Sequence, residues 1–492
     1  MLFNTPEFII FFIVLVSALV IIKNRKFQHL LLLGGSYFFF YYSSNYLITL
    51  LIFSTLLDFY IGQMIANSSI VNRRKLLLGI SLAGNLGILG FFKYADFGIS
   101  QFNETLMFFG YSSNIPFLEL ALPIGISFYT FQTMTYSIDI YRNQLTPSKS
   151  LREFAIFVAF FPQLVSGPIL RAKDFLPQLR EKLNNFETRI NLRQILIQNK
   201  NFKIGISLII FGFVKKIFFA DNIAPLVDDV FFNPMGLGVG SFSILVGTIA
   251  FGIQIYGDFS GYSDIAIGVA LILGFNIPRN FNKPYFATSP ADFWRRWHIS
   301  LSTWLRDYLY IPLGGNKKSS SRTYLNLLTV MVIGGLWHGA SWNFMIWGIL
   351  HGGYLAIHKI ILDKFPSLKN LKFFKTKVGK IISVLITQYF IFLAWIPFRA
   401  SDIDQSLYAM QKYIFFDFEL SNAMTLISTH KFSIFLMVLF FILHFIMYLR
   451  PNTLEKVSKL QTKYWTIFLI ICISITILFI DGNPKDFIYF RF

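Results

Sequence analysis

The sequence predicts an all-α polytopic membrane protein, with roughly eleven transmembrane helices plus re-entrant or interfacial pieces, each span needing about 20 mostly apolar residues. Three observations predict it. Of the 492 residues, 54% are apolar and only 14% are charged, against about 25% charged in soluble globular chains. Mean hydropathy is +0.56. Apolar runs recur along the whole chain, and the net charge of +19, from 44 Lys+Arg against 25 Asp+Glu, gathers in the short segments between them, as in the positive-inside pattern. This composition excludes a soluble enzyme, a disordered chain and a fibre. Membrane topology accounts for the basic charge, so no nucleic-acid partner is expected.

The runs follow in order. Residues 1–8 contain Glu7 and no Lys or Arg, so a cleavable signal peptide, which opens on a positive region, is not expected. The first run, Ile9–Ile22, is followed by Lys23, Arg25 and Lys26, which predicts a cytosolic first loop and an outside N-terminus. Further runs lie near 28–42, 45–66, 76–92, 118–140, 152–170, 204–220, 240–275, 325–350, 352–363, 381–398, 432–449 and 464–481. The 240–275 run is too long for one straight span, and a break is expected there. Residues 171–203 alternate Arg171, Lys173, Arg180, Arg189 and Arg193 with Leu176, Leu179, Phe186, Ile190 and Ile195. They read as a basic amphipathic segment on the cytosolic leaflet, with an ordinary cytosolic loop as the alternative. No soluble domain stands apart, so residues 1–492 are expected to form one integral-membrane domain, with the motif-bearing core at about 120–400. Cys472 is the single cysteine, which leaves no internal disulfide and no thiolate metal cluster.

In such a chain the informative residues are the polar ones inside apolar runs, because a charge at the bilayer centre costs at least about 2.5–3.5 kcal/mol. The first cluster, QIYGDFSGYSDIAIG at 254–268, holds Asp258, Tyr262 and Asp264, with Gly257 and Gly261 permitting close backbone approach or a break. It is either a structural network holding helices together or one wall of a substrate cavity. The second, 288–315, opens on Ser289, Pro290 and Asp292, a helix start with a capping box. On one continuous helix, Trp294, His298, Leu301, Ser302 and Leu305 would share a face, with Trp297 beside them. The third, 331–351, holds His338 between Gly334, Gly335 and Gly339, which predicts open space around the imidazole. Trp337, Trp342 and Trp347 supply flat walls, and Asn343 is a further polar candidate. His351 and His358 are read as hydrogen-bonding within the bundle, His29 as interfacial and His444 as a packing residue. No P-loop, GxSxG, HExxH or CxxC motif occurs, so metal hydrolysis, nucleotide hydrolysis and serine-esterase chemistry have no support.

DFSGYSDIAIG at 258–268, GFNIPRNFNKPYFATSPADFWRRWHISLSTWLRDYLYIPLGGN at 274–316 and GGLWHGASWNFMIWGILHG at 334–352 resemble the membrane-bound O-acyltransferase family, and within it the branch that acetylates alginate-like exopolysaccharides. Weaker matches, including FFPQLVSGPILRAKDF at 160–175, WIPFRA at 395–400 and the terminal FIYFRF, extend the likeness from about residue 84 onward. The resemblance implies a ring of helices around a central funnel. It makes His338, in the WHG motif, the catalytic histidine and places a second one at His298. Asp258, Asp264, Tyr262, Trp294, Trp297, Trp337 and Asn343 become candidate cavity or substrate-binding residues. No bound cofactor or metal is expected. The donor would be acetyl-CoA or another acyl thioester from the cytosol. The acceptor would be a hydroxyl of an extracytoplasmic polysaccharide or of a periplasmic acetyltransferase partner.

An alcohol needs a positioned base at neutral pH, and imidazole titrates in the right range. His338 is read as that base, and His298 as orienting the acceptor or stabilising the oxyanion. The expected location is the bacterial inner membrane, in contact with membrane lipid. The alternatives are D-alanyl transfer to teichoic acid by the related branch, and a polysaccharide transporter without chemistry.

Overall fold

Among the described residues six helical stretches are long and apolar enough to cross a membrane: Lys26–Ala66, Val71–Phe108, Ser241–Ile272, Trp342–Lys364, Lys377–Arg399 and Lys431–Leu449. Pro6–Ile21 and Thr462–Leu478 are shorter apolar helices. The structure, a computed structural model, describes residues 1–480 apart from 2, 23, 113, 166, 185–199, 419 and 420, and also residues 487 and 488. Among the described residues all regular structure is helical. The first stretch is divided by a 3₁₀ turn at Asn45–Leu47 into helices of 20 and 19 residues. Each half is long enough for a span of its own, at 1.5 Å per residue against a hydrocarbon core of about 30 Å.

The chain divides into two compact units, the first of Met1–Ile209 with Ile265–Pro278, the second of Ile210–Asp264 with Arg279–Phe492. In the first, Phe8, Phe39 and Phe161 pack with Phe39 at 6.1 and 5.4 Å from its two neighbours. The same unit buries a carboxylate that the run pattern had hidden. Asp58, on the Ile48–Ala66 helix, accepts from Ser137 Oγ at 2.6 Å, from Asn85 Nδ2 at 2.7 Å and from Ser81 Oγ. These donors come from the Val71–Phe108 and Ile126–Tyr141 helices, so one acid ties three helices by their polar atoms. His29 is buried in this unit, at 2% exposure. In the helix Ala172–Asn184, Phe175, Leu176 and Leu179 are buried, and Phe175 stacks on Phe275 at 5.1 Å. Residues 185–199 of the expected basic segment, including Phe186, Arg189, Ile190, Arg193 and Ile195, lie outside the described residues.

The expected break at Gly257 and Gly261 does not occur. Ser241–Ile272 is one helix of 32 residues. The irregularity sits instead in its neighbour, where Val214–Asp221 is a π-helical turn. The glycines serve the contact between the two. A Cβ on Gly257 would lie 2.9 Å from the Lys215 carbonyl oxygen, and one on Gly261 2.7 Å from that of Gly212. Small residues of this kind let two membrane helices touch backbone to backbone. The wide turn presents Lys215 and Lys216 to the long helix, where Asp264 and Asp258 receive them. In the same unit Ser320–His338 and Trp342–Lys364 form a tight helical hairpin. There a Cβ on Gly348 would meet the Met331 carbonyl oxygen at 2.5 Å.

Candidate functional site

The second unit carries the site. Ser289 starts a helix as read from the sequence: its Oγ accepts from the Asp292 N–H at 3.1 Å, and Asp292 Oδ2 accepts from the Thr288 N–H at 3.2 Å. The helix then ends after five residues, at Trp294. The continuous helix expected through His298 is not formed, so the common face of Trp294, His298, Leu301, Ser302 and Leu305 does not exist. His298 has φ 42° and ψ 55° and precedes a new helix, Ile299–Leu305. A left-handed backbone at a residue with a Cβ costs about 1–3 kcal/mol, and hydrogen bonds to the preceding loop offset it. The Ile299 N–H donates to the Asn280 carbonyl at 2.9 Å, and the Asn282 N–H to the Arg296 carbonyl at 2.8 Å.

Asn280 also fixes the imidazole. Its Oδ1 accepts from the Ser300 backbone N–H at 3.1 Å and from Ser300 Oγ at 2.9 Å. A backbone N–H can only donate, so this amide atom is the oxygen. His298 Nδ1 stands 3.2 Å from the same oxygen and must therefore carry the ring proton. Nε2 is then the acceptor nitrogen of the neutral ring. Asn280 Nδ2 donates to Ser263 Oγ at 3.3 Å, tying the loop to the long helix. The His298 ring lies edge-on to Phe259 at 4.6 Å, and the residue is 0% exposed.

His338 ends the Ser320–His338 helix and is 4% exposed. Trp337 touches both imidazoles, its ring centroid 6.1 Å from that of His298 and 5.0 Å from that of His338. Trp347 and Phe398 close on His338 at 5.0 and 5.2 Å. Two of the three glycines expected to open space around His338 do not supply it. A Cβ on Gly335 would meet the Phe344 carbonyl oxygen at 2.2 Å, and one on Gly339 the Phe344 ring at 2.0 Å. Their missing side chains make room for the hairpin partner.

The other candidates fall into two sets. Asp258, 2% exposed, pairs with Lys216 at 2.6 Å and accepts from the Ile488 N–H at 2.7 Å. Lys216 also pairs with Asp221 at 2.9 Å. Asp264 pairs with Lys215. Tyr262 packs on Phe487 at 4.7 Å. Asn343 donates to the Ala400 carbonyl at 3.0 Å, fastening the second hairpin helix to the end of Lys377–Arg399. These contacts are those of braces. Trp294 and Trp297 belong instead to the aromatic mass behind the histidines, with Trp297 on Trp395 at 4.9 Å and Trp294 on Trp347 at 5.8 Å. His444 is a packing residue, stacked on Phe440 at 5.2 Å and Phe286 at 5.3 Å. Neither ring nitrogen of His351 makes the hydrogen bond expected of it. Sequence reasoning did not single out Asn280, Lys215 or Lys216. The two lysines inside an apolar run were a legible signal; Asn280, one polar residue in a polar loop, was not.

A family model for the membrane-bound O-acyltransferases matches residues 142–396. The chain is 41% identical to the probable alginate O-acetylase AlgI of Pseudomonas aeruginosa, over 71% of this chain and 62% of that one. It therefore spans less than two thirds of that relative, and 69% of the probable alginate O-acetylase AlgI of Azotobacter vinelandii, at 39% identity over 75% of this chain. A peptidoglycan O-acetyltransferase of Helicobacter pylori is 36% identical, over 73% of this chain and 68% of its own.

Proposed function

The chain belongs to the membrane-bound O-acyltransferase family, and from that premise we propose that this multi-pass membrane protein moves an acetyl group from a thioester to a hydroxyl. The named activities of the Pseudomonas and Helicobacter relatives support acetyl as the group and a cell-surface polysaccharide, alginate-like or otherwise, as the final acceptor. The acceptor is that polysaccharide or an extracytoplasmic partner that finishes the transfer. The donor is acetyl-CoA or an acyl carrier on the cytosolic side. The protein sits in the inner membrane with its N-terminus outside.

The observation that carries this reading is the pair of buried imidazoles on one indole. His338 takes the hydroxyl proton as the acceptor oxygen attacks the thioester carbonyl carbon. The tetrahedral oxyanion collapses, the C–S bond breaks, and His338 returns the proton to the departing thiolate, so that ester and thiol leave. A base positioned in this way contributes about 10²–10⁴-fold. Held with Nδ1 protonated, neutral His298 offers Nε2 as an acceptor, which suits orienting the incoming hydroxyl and does not suit donating to an oxyanion. Burial among aromatic rings excludes water that would hydrolyse the thioester.

The test is reconstitution. Full-length protein in liposomes, with radiolabelled acetyl-CoA inside and a polysaccharide acceptor outside, should release CoA and label the acceptor or an added partner. A protein that accepts only D-alanyl thioester would fit the branch of the Streptococcus thermophilus teichoic acid D-alanyltransferase, 30% identical over 50% of this chain. A protein that moves acceptor without cleaving any thioester would be a transporter.

A further inference from the structure

We propose that His351, with Trp294 and Trp347, seats the carbonyl oxygen of the acyl group, which makes His351 a specificity-determining residue of the transfer. The proposal rests on the acyltransferase reading above and adds to it the place where the acyl end of the donor is held.

His351 is 0% exposed, on the Trp342–Lys364 helix, and no protein group hydrogen-bonds either ring nitrogen. The indole nitrogens of Trp294 and Trp347 are likewise buried without a hydrogen-bond partner. These three rings pack on one another, with Trp347 to His351 at 4.6 Å, Trp294 to His351 at 5.2 Å and Trp294 to Trp347 at 5.8 Å. A native fold rarely leaves buried polar atoms unmet, so four of them on three rings in mutual contact call for a guest. An indole N–H only donates, and a neutral imidazole adds one donor. The guest must therefore bring lone pairs, as a carbonyl oxygen does. The other rings against His351 are Phe293, Tyr354 and Trp395, all uncharged, at 6.0, 6.1 and 6.4 Å. Such walls favour a neutral group over a phosphate or a carboxylate. Position completes the case. Trp347, a member of the cluster, also touches the base, its ring 5.0 Å from that of His338 and 4.6 Å from that of His351.

The experiment compares wild type, His351→Phe and His351→Gln as purified full-length protein in nanodiscs, with initial rates measured against acetyl-CoA. Phenylalanine fills the aromatic cage without a donor, and glutamine restores one. His351→Phe should keep the wild-type melting temperature, raise the KM for acetyl-CoA about tenfold and lower kcat as well, because the same oxygen carries the oxyanion; tenfold corresponds to about 1.4 kcal/mol. His351→Gln should recover most of that loss. An unchanged KM in His351→Phe, or equal loss in both variants, overturns the seat while leaving the transferase reading intact. A wild-type protein that cleaves no thioester removes that reading and the seat together. Should His351→Phe fail to fold, wild-type tryptophan fluorescence decides: acetyl-CoA should quench it more than CoA does, and equal quenching overturns the proposal.

Discussion

His298 donates from Nδ1 to Asn280 Oδ1 across 3.2 Å, and that oxygen already holds the Ser300 N–H and hydroxyl. One amide therefore sets both the left-handed turn and the tautomer of the ring. Asn280→Leu should lower stability by about 1–3 kcal/mol through the orphaned donors. It should also lower kcat by about 10²-fold, as misplaced groups do. Asn280→Asp keeps an acceptor at the same place and should retain far more turnover. Melting curves and initial rates on the two variants check this, and equal loss in both would contradict the tautomer argument.

The Lys216–Asp258–Asp221 cluster is buried, with Lys216 at 2.6 and 2.9 Å from the two acids. Removing the lysine leaves two buried carboxylates without their cation, so Lys216→Met alone should cost up to about 3–5 kcal/mol. Replacing all three together, as Lys216→Met, Asp221→Leu and Asp258→Leu, should restore most of the melting temperature. A brace predicts that the restored protein still transfers acetyl within about threefold. A stable but inactive triple variant would return Asp258 to the substrate wall.

Gly261→Ala places a methyl 2.7 Å from the Gly212 carbonyl oxygen, across the contact between the long helix and the π turn. Overpacking of this kind costs about 1–3 kcal/mol. Gly353, in the Trp342–Lys364 helix, has nothing within 4 Å of its would-be Cβ. Gly353→Ala should therefore be neutral or stabilise by up to about 1 kcal/mol. Thermal unfolding of the two alanine variants gives the comparison directly.

Hydropathy showed that helices would cross a membrane, and the SPAD start at 289–292 was read with its cap in the correct role, while its acid bonds back to the N–H of Thr288, one residue before the cap. Both are local signals. The left-handed backbone of His298 was not legible, because it is held by Asn280, eighteen positions earlier, and helical periodicity overrides nothing of that kind. The glycines around His338 were read as room for a ligand. Gly335 and Gly339 are room for Phe344 and its helix, a distinction only the packed hairpin makes, and Gly334 faces Leu305. Asp258 and Asp264 stood out correctly as polar groups in an apolar run. Their partners, Lys215 and Lys216, lie more than forty residues away on a π turn that no short-range pattern signals.

The most direct measurement is acetyl release and transfer from radiolabelled acetyl-CoA by purified wild type, His338→Ala and His298→Ala, each shown by its melting curve to be folded. The account expects wild type to transfer, His338→Ala to lose about 10²–10⁴-fold in kcat, and His298→Ala to lose a large share of turnover. Near-normal transfer by a folded His338→Ala would contradict it.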